Sequence, residues 1–355
     1  MTKARVDQES SALPGDRYCG PWVHGDPLLS LEDMRNLLIA TALSACSWAR
    51  PLDARLTNYA YPHPVHTLAI SAQKQSLEMA YMDVRPGQPN GQTVLLLHGK
   101  NFCGAYWAKT IELLRNHGYR VVVPDQVGFG KSSKPRSFQF SFQEMARETD
   151  LLLQHLKLKQ VQVVGHSMGG MLGTRYALMF PAKVTSLTLV NPIGLEDWKR
   201  QVPYHTVEQN YAAEQKSDIQ GYMRENYFHG VWKPEYDFLT EIPLGWKAGP
   251  DSDLIAWESA LTSDMIFTQP VVYEFADLRT HTLLIIGQKD QTAIGKAWAS
   301  PQAKARLGHY PELGRQIRDQ IPGAELVEIA EAGHLPQIEQ WSQYSAALLA
   351  FLKKY

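Results

Sequence analysis

The segment Gly165-His166-Ser167-Met168-Gly169-Gly170 places a serine between two glycines, one two residues before it and one two residues after. It follows the β-rich run VQVV and precedes a helical pattern, the strand–turn–helix context in which a G-x-S-x-G turn thrusts a serine Oγ above a sheet edge. Such a turn holds its middle residue in a strained conformation and leaves no room for a bulky Cβ on either side. A serine hydroxyl is a weak nucleophile until a base takes its proton and a third group orients the base. Of the twelve histidines, His334 in EAGHLPQIE follows the strand-like ELVEI and precedes the last helix, so its loop can swing over the carboxyl edge of a sheet. His166 adjoins the serine and is expected to point away from it and pack beneath the turn. Asp290, just past the strand-like LLII in LLIIGQKDQT, is the expected acid, and the chain order nucleophile, acid, histidine supports both assignments. Glu196 or Asp197 in NPIGLED is the alternative acid, its other reading being the solvated start of an inserted segment.

These residues need a sheet edge to hold them. From residue 68 onward short β-rich runs alternate with longer helical ones. Segments 68–73 and 77–84 read as an antiparallel pair, and TVLLL at 93–97 and RVVVP at 120–124 as strands covered on both faces. Helices are expected over 105–117, 142–156 and 168–180, strands over 161–165 and 184–190, and a terminal helix over about 336–353. Between 191 and 278 the alternation stops, and a mostly helical stretch rich in tyrosine and tryptophan intervenes. Its aromatic rings are expected to pack the helices of an inserted lid and to line an apolar pocket.

Composition narrows the class. A 355-residue chain with 35 Lys+Arg, 36 Asp+Glu and 44% hydrophobic residues has material for a large core and lacks the basic footprint of a nucleic-acid binder. Cys19, Cys46 and Cys103 contain no C-x-x-C pair, so neither a zinc knuckle nor a disulfide framework is expected. Residues 1–33 are polar and aperiodic, and read as a disordered extension. Residues 34–49 have a basic start, an apolar run from 37 to 49 too short to span a bilayer, and a small-residue exit, which are the parts of a secretory leader. They predict translation from Met34 and export to the periplasm. The leader ends either at Ala49 or before Cys46, which LSAC would make a lipid-anchored first residue. The other reading is a helix of a cytoplasmic protein.

Together with LLLHGKNFCGAYW at 95–107 and PDQVGFGKSSKP at 124–135, the serine turn and the histidine loop make residues 68–355 similar to the α/β-hydrolase superfamily, in its lid-bearing branch. That branch is shared by epoxide hydrolases, haloalkane dehalogenases, C–C bond hydrolases and many esterases. The resemblance implies an α/β-hydrolase fold: a mostly parallel eight-stranded sheet flanked by helices, with core segments at 50–194 and 278–355 around a helical lid at 195–277. It also implies an oxyanion hole made by the backbone N–H of Lys100, or Asn101, and of Met168. His98, Gly99, Asp125, Gly128 and Gly130 are expected to shape loops. Epoxide hydrolases and dehalogenases of this branch use an aspartate where this chain has Ser167, and serine suits attack on acyl carbon. The expected reaction is therefore hydrolysis of a small carboxylic ester, with an amide, lactone, thioester or C–C bond as alternatives and a catalytically silent binding protein as the remote one. No metal, organic cofactor, nucleic acid or transmembrane span is implied.

Two further patterns are weak. Ser71-Ala72-Gln73-Lys74 matches S-x-x-K but falls in an expected strand, and His63-Pro64-Val65-His66 has no carboxylate cluster beside it. The stretch KAWASPQAKARLGHYPELG at 296–314 is longer than the fold requires and is expected to form an extra helix or rim loop.

Overall fold

The computed structural model describes residues 49–355; the extension at 1–33 and the leader, with Met34, Cys19 and Cys46, lie outside the described residues apart from Ala49. Eight strands build one sheet: β1 Val65–Ala72, β2 Gln75–Val84, β3 Thr93–Leu97, β4 Arg120–Pro124, β5 Val161–His166, β6 Val184–Val190, β7 His281–Gly287 and β8 Glu325–Ile329. Their order is β1-β2-β4-β3-β5-β6-β7-β8; β2 pairs antiparallel with β1 and β4, and every other neighbouring pair is parallel.

The hairpin between β1 and β2 turns on Gln73 and Lys74, both at positive φ, as a two-residue turn that follows the strand twist requires. The S-x-x-K match is thereby placed across a strand end and a hairpin turn, not at the start of a helix. His63 pairs through Nε2 with Glu112 at 2.9 Å, and the described residues contain no metal-ligating cluster.

Strand β3 explains why its run is continuously apolar. Leu95 and Leu97 enter one core, while Val94 and Leu96 enter a second core on the opposite face. Helices cover both faces: α1 Ala108–Asn116, preceded by a 3-10 turn at Gly104–Trp107, α2 Phe142–His155 and α3 Met168–Met179. Ser141 caps α2 by accepting from the Glu144 amide at 3.0 Å.

Between β6 and β7 run four helices, α4 Val207–Gln215, α5 Ile219–Tyr227, α6 Phe238–Ala248 and α7 Ser252–Thr268. A full capping box of Thr206 and Gln209 starts α4. Two indole groups tie the framework together: Trp198 Nε1 donates to the Phe267 carbonyl and Trp246 Nε1 to that of Asp53. After β7 come the short helix α8 Pro301–Lys304 and α9 Tyr310–Gln320, and after β8 the helices α10 Pro336–Glu339 and α11 Trp341–Leu352. The long 296–314 stretch thus divides: its first part is rim, and its end is the first turn of α9, the crossover helix whose Gly314 lies against Ile286 of β7. Among the described residues no helix is long and apolar enough to cross a membrane.

Glu148 of α2 is fully buried with neither carboxyl oxygen hydrogen-bonded, and burial pushes its pKa up to about 8. The folded protein therefore holds a proton there that the unfolded chain releases above about pH 4.5, so this site costs progressively more stability as pH rises to 8 and no more beyond. Glu148→Gln should melt at a higher temperature than wild type at pH 8, and the difference should shrink toward pH 5. Thermal melts across that range check it, and a difference independent of pH would refute it.

Candidate active site

Strand β5 is buried along its whole length and ends at His166; Ser167 follows at φ 56° and ψ −119° and opens α3. Close backbone approach fixes the glycines on either side. A Cβ on Gly165 would lie 2.2 Å from the Gly169 carbonyl oxygen, and one on Gly169 would lie 2.2 Å from that of Leu97. The serine backbone is pinned to the next strand and loop: its N–H donates to Val190 O at 3.2 Å, and its carbonyl accepts from Gly170 and Ile193. The turn is thus tight, strained and anchored at both ends, and it leaves Ser167 on the wall of a cavity.

His334 and Asp290 meet although 44 residues separate them. His334 Nδ1 lies 2.6 Å from Asp290 Oδ2, both side chains being fully buried. A carboxylate accepts, so Nδ1 carries the proton and Nε2 presents its lone pair. That Nε2 is buried and has no hydrogen-bond partner among the described residues. Asp290 is held from two more sides, by Asn191 Nδ2 at 2.7 Å on Oδ2 and by the Thr292 amide at 2.8 Å on Oδ1. Asn191 itself sits at positive φ just past β6 and accepts from the Gly287 amide at 2.9 Å, which locks its rotamer.

The histidine loop is tied down just as closely. Glu339 of α10 accepts from the amides of Gly333 and Leu335, on either side of His334. His166 Nε2 donates to the His334 carbonyl at 2.8 Å, which leaves Nδ1 to accept from the Tyr106 hydroxyl at 3.0 Å. Burial holds the His166 pKa well below the usual imidazole range, so the ring is a neutral strut between the serine turn and the histidine loop. The expected packing role of His166 is matched, and its ring lies 4.9 Å from that of His334.

Glu196, the alternative acid, is directed elsewhere: its Oε1 accepts from the Gly308 amide at 3.0 Å on the rim segment. Asp197 forms an ion pair with Arg200 at 3.1 Å. Asp125 shapes its loop as expected, accepting from the Gly104 and Lys131 amides and the Tyr61 hydroxyl, and His98 Nε2 accepts from the Gln126 amide. Cys103 is a buried thiol whose pKa burial pushes up to about 12, consistent with a small packed residue.

Lys100 and Asn101 follow β3, and Met168 is the first residue of α3, where the helix leaves its leading N–H groups without intrahelical acceptors. The side chains of the two loop residues reach into the inserted helices. Lys100 Nζ donates to Ser259 Oγ of α7 at 2.7 Å and lies 3.6 Å from Glu214 of α4, while Asn101 Nδ2 donates to the Tyr227 hydroxyl of α5 at 2.8 Å. Tyr227 stacks on His334 with ring centroids 4.5 Å apart, and its carbonyl accepts from the His334 amide. The four-helix insert thus touches both the loop after β3 and the histidine. Between the insert and the sheet edge lies a cavity of about 950 Å3, with Ser167, Phe129, Ile193, Tyr222, Ile255 and Ile266 in its wall. A second, shallower hollow of about 560 Å3, around Arg55, Tyr61, His63 and Lys131, touches none of these groups.

Known proteins carry related chains. Residues 92–228 match the family described as alpha/beta hydrolase fold. The crystal structure of a probable hydrolytic enzyme from Pseudomonas aeruginosa PAO1 superposes with a TM-score of 0.84 at 49% identity, covering 86% of this chain and 99% of that one. Lipase 1 of Psychrobacter immobilis is 27% identical over 278 residues, 75% of this chain and 78% of the lipase. Lipase 3 of Moraxella sp. (strain TA144) is 28% identical over 260 residues, 70% and 73% of the two chains.

Proposed function

Because the chain belongs to the α/β-hydrolase superfamily and is a hydrolase of that fold, we propose that it cleaves carboxylic esters through an acyl-enzyme on Ser167, with His334 as general base and acid and Asp290 as the group that orients it. The reading rests on one observation: a serine on a strained turn borders a cavity, and the ring of His334 is fixed by Asp290 in the tautomer that leaves Nε2 as a buried, free acceptor. Substrate completes the arrangement, since catalytic hydrogen bonds of free enzymes commonly tighten only when it binds.

Ser167 Oγ attacks the ester carbonyl carbon while His334 Nε2 takes its proton. The oxyanion is received by the N–H of Met168 and of Lys100 or Asn101, fixed donors worth on the order of 10²–10³ in rate each. Met168 adds the positive end of α3. The imidazolium returns its proton to the departing alcohol, water attacks the acyl-enzyme with His334 as base, and the acid is released. Serine favours this chemistry over alkyl transfer because acyl carbon accepts an alkoxide readily, and the two lipases among its relatives support the ester class. Helices α4 to α7 act as a lid that sets the substrate through the cavity wall and steadies His334 through Tyr227.

Short p-nitrophenyl esters test the reading directly. Purified enzyme should turn them over with saturation and cleave the matched anilides far more slowly, an amide nitrogen being the poorer leaving group. Absence of turnover with every ester in the series would overturn it.

A further inference from the structure

One acid in the cavity wall is left without a partner. Glu258 of α7 is 2% exposed, and neither carboxyl oxygen is hydrogen-bonded within the described residues. The other acids of the wall are engaged: Glu214 by Lys100, Asp218 by the Gly221 amide, Asp253 by Arg136 and Tyr211. Glu258 lies against the loop that carries Phe129, since a Cβ on Gly128 would come within 3.2 Å of its Oε2. A buried carboxyl with no partner is costly, and on a cavity wall an occupant of that cavity can satisfy it.

We propose that Glu258 is a specificity-determining residue that hydrogen-bonds a hydroxyl or carbonyl oxygen of the substrate at a distance from the scissile bond, so that the enzyme prefers oxygen-substituted esters to plain aliphatic ones. The inference rests on the ester reading above. Two observations set the class of the group. Burial pushes the Glu258 pKa up to about 8, so near neutral pH it is a carboxylic acid that can both donate and accept. Cationic charge already acts on it, from Lys134 and Arg136. A substrate ammonium would add a further like charge, whereas a neutral oxygen meets a donor and an acceptor without charge. Lys134 does not neutralise the acid by contact, because its Nζ is taken by the carbonyls of Gly130 and Ser132.

Two matched pairs test this, ethyl hexanoate against its terminally hydroxylated counterpart and hexyl butanoate against its own, which place the hydroxyl on the acyl and the alcohol side. Wild type should favour the hydroxylated member of one pair, and Glu258→Leu should lower that kcat/KM ratio by about 10–100-fold, while Glu258→Gln, which keeps a donor and an acceptor, should hold it within a few-fold. Calorimetry on Ser167→Ala protein reads the same preference as affinity, without turnover. Ratios near one in both pairs for wild type, ratios unmoved in Glu258→Leu, or a stronger preference for esters carrying a terminal amine in place of the hydroxyl would each overturn the inference. Absence of turnover together with a clear calorimetric preference would overturn the ester mechanism and leave the recognition standing.

Discussion

Ser167→Ala should lower kcat for esters by at least about 10³-fold, with the folded structure retained. The size of the loss follows from what the hydroxyl does and what stays behind. Without Oγ the proposed acyl-enzyme does not form, and the residual rate is that of water acting in a cavity that still positions substrate and keeps the proposed oxyanion donors, the amides of Met168 and of Lys100 or Asn101. Those donors belong to the backbone, so the substitution does not remove them. Alanine keeps the Cβ and meets the same strain at φ 56° that serine already bears, and the flanking anchors to Val190, Gly170 and Ile193 are backbone bonds. Thermal melting should therefore move little while turnover collapses, and circular dichroism beside a p-nitrophenyl ester assay separates the two. Unchanged turnover would remove Ser167 from the mechanism altogether.

Much of this candidate site is legible in the sequence, for a physical reason. Parallel strands buried on both faces are continuously apolar, so β3, β4, β5 and β6 stand out from the helical periods between them. The serine turn needs glycine where backbone atoms pass within a Cβ radius, and that requirement is written into the sequence at Gly165 and Gly169. Asp290 and His334 are legible because each lies on the loop after a strand, and strand ends share one edge.

Other parts of the site leave no such trace. Asn191 is an ordinary polar residue after a strand; only the register of β6 against β7 brings its amide to Asp290 and its carbonyl oxygen to Gly287. Its position next to the strand end is the available signal. Tyr227 and Glu258 lie in a helical insert whose order along the chain does not reveal which faces turn to the cavity. Glu339 is visible only through the two amides it holds around His334. The aromatic richness of the insert serves both expected ends: Tyr222, Tyr227, Trp246 and Phe267 line the cavity, while the indole N–H groups of Trp198 and Trp246 tie helices and chain ends together.

The choice of acid carries the second large expected effect. Asp290→Asn should cut kcat by about 10⁴-fold, whereas Glu196→Gln should change it by no more than a few-fold. Asp290 Oδ2 accepts from both His334 Nδ1 and Asn191 Nδ2, at 2.6 and 2.7 Å. An asparagine there offers one oxygen and one NH2 group. With Asn191 already donating and the Thr292 amide already donating to the other carboxyl oxygen, at least one donor must face a donor. If the amide nitrogen turns to His334, Nδ1 must accept, Nε2 takes the proton, and the base is lost to the wrong tautomer. If the oxygen turns to His334, the Thr292 amide faces NH2, and the charge that stabilises the imidazolium is absent in either case. Glu196 differs in what it holds: its partner is the Gly308 amide, and a glutamine oxygen accepts that bond equally well. Steady-state kinetics of the two variants decide the matter, and a larger loss in Glu196→Gln than in Asp290→Asn would transfer the role of the acid to the strand before.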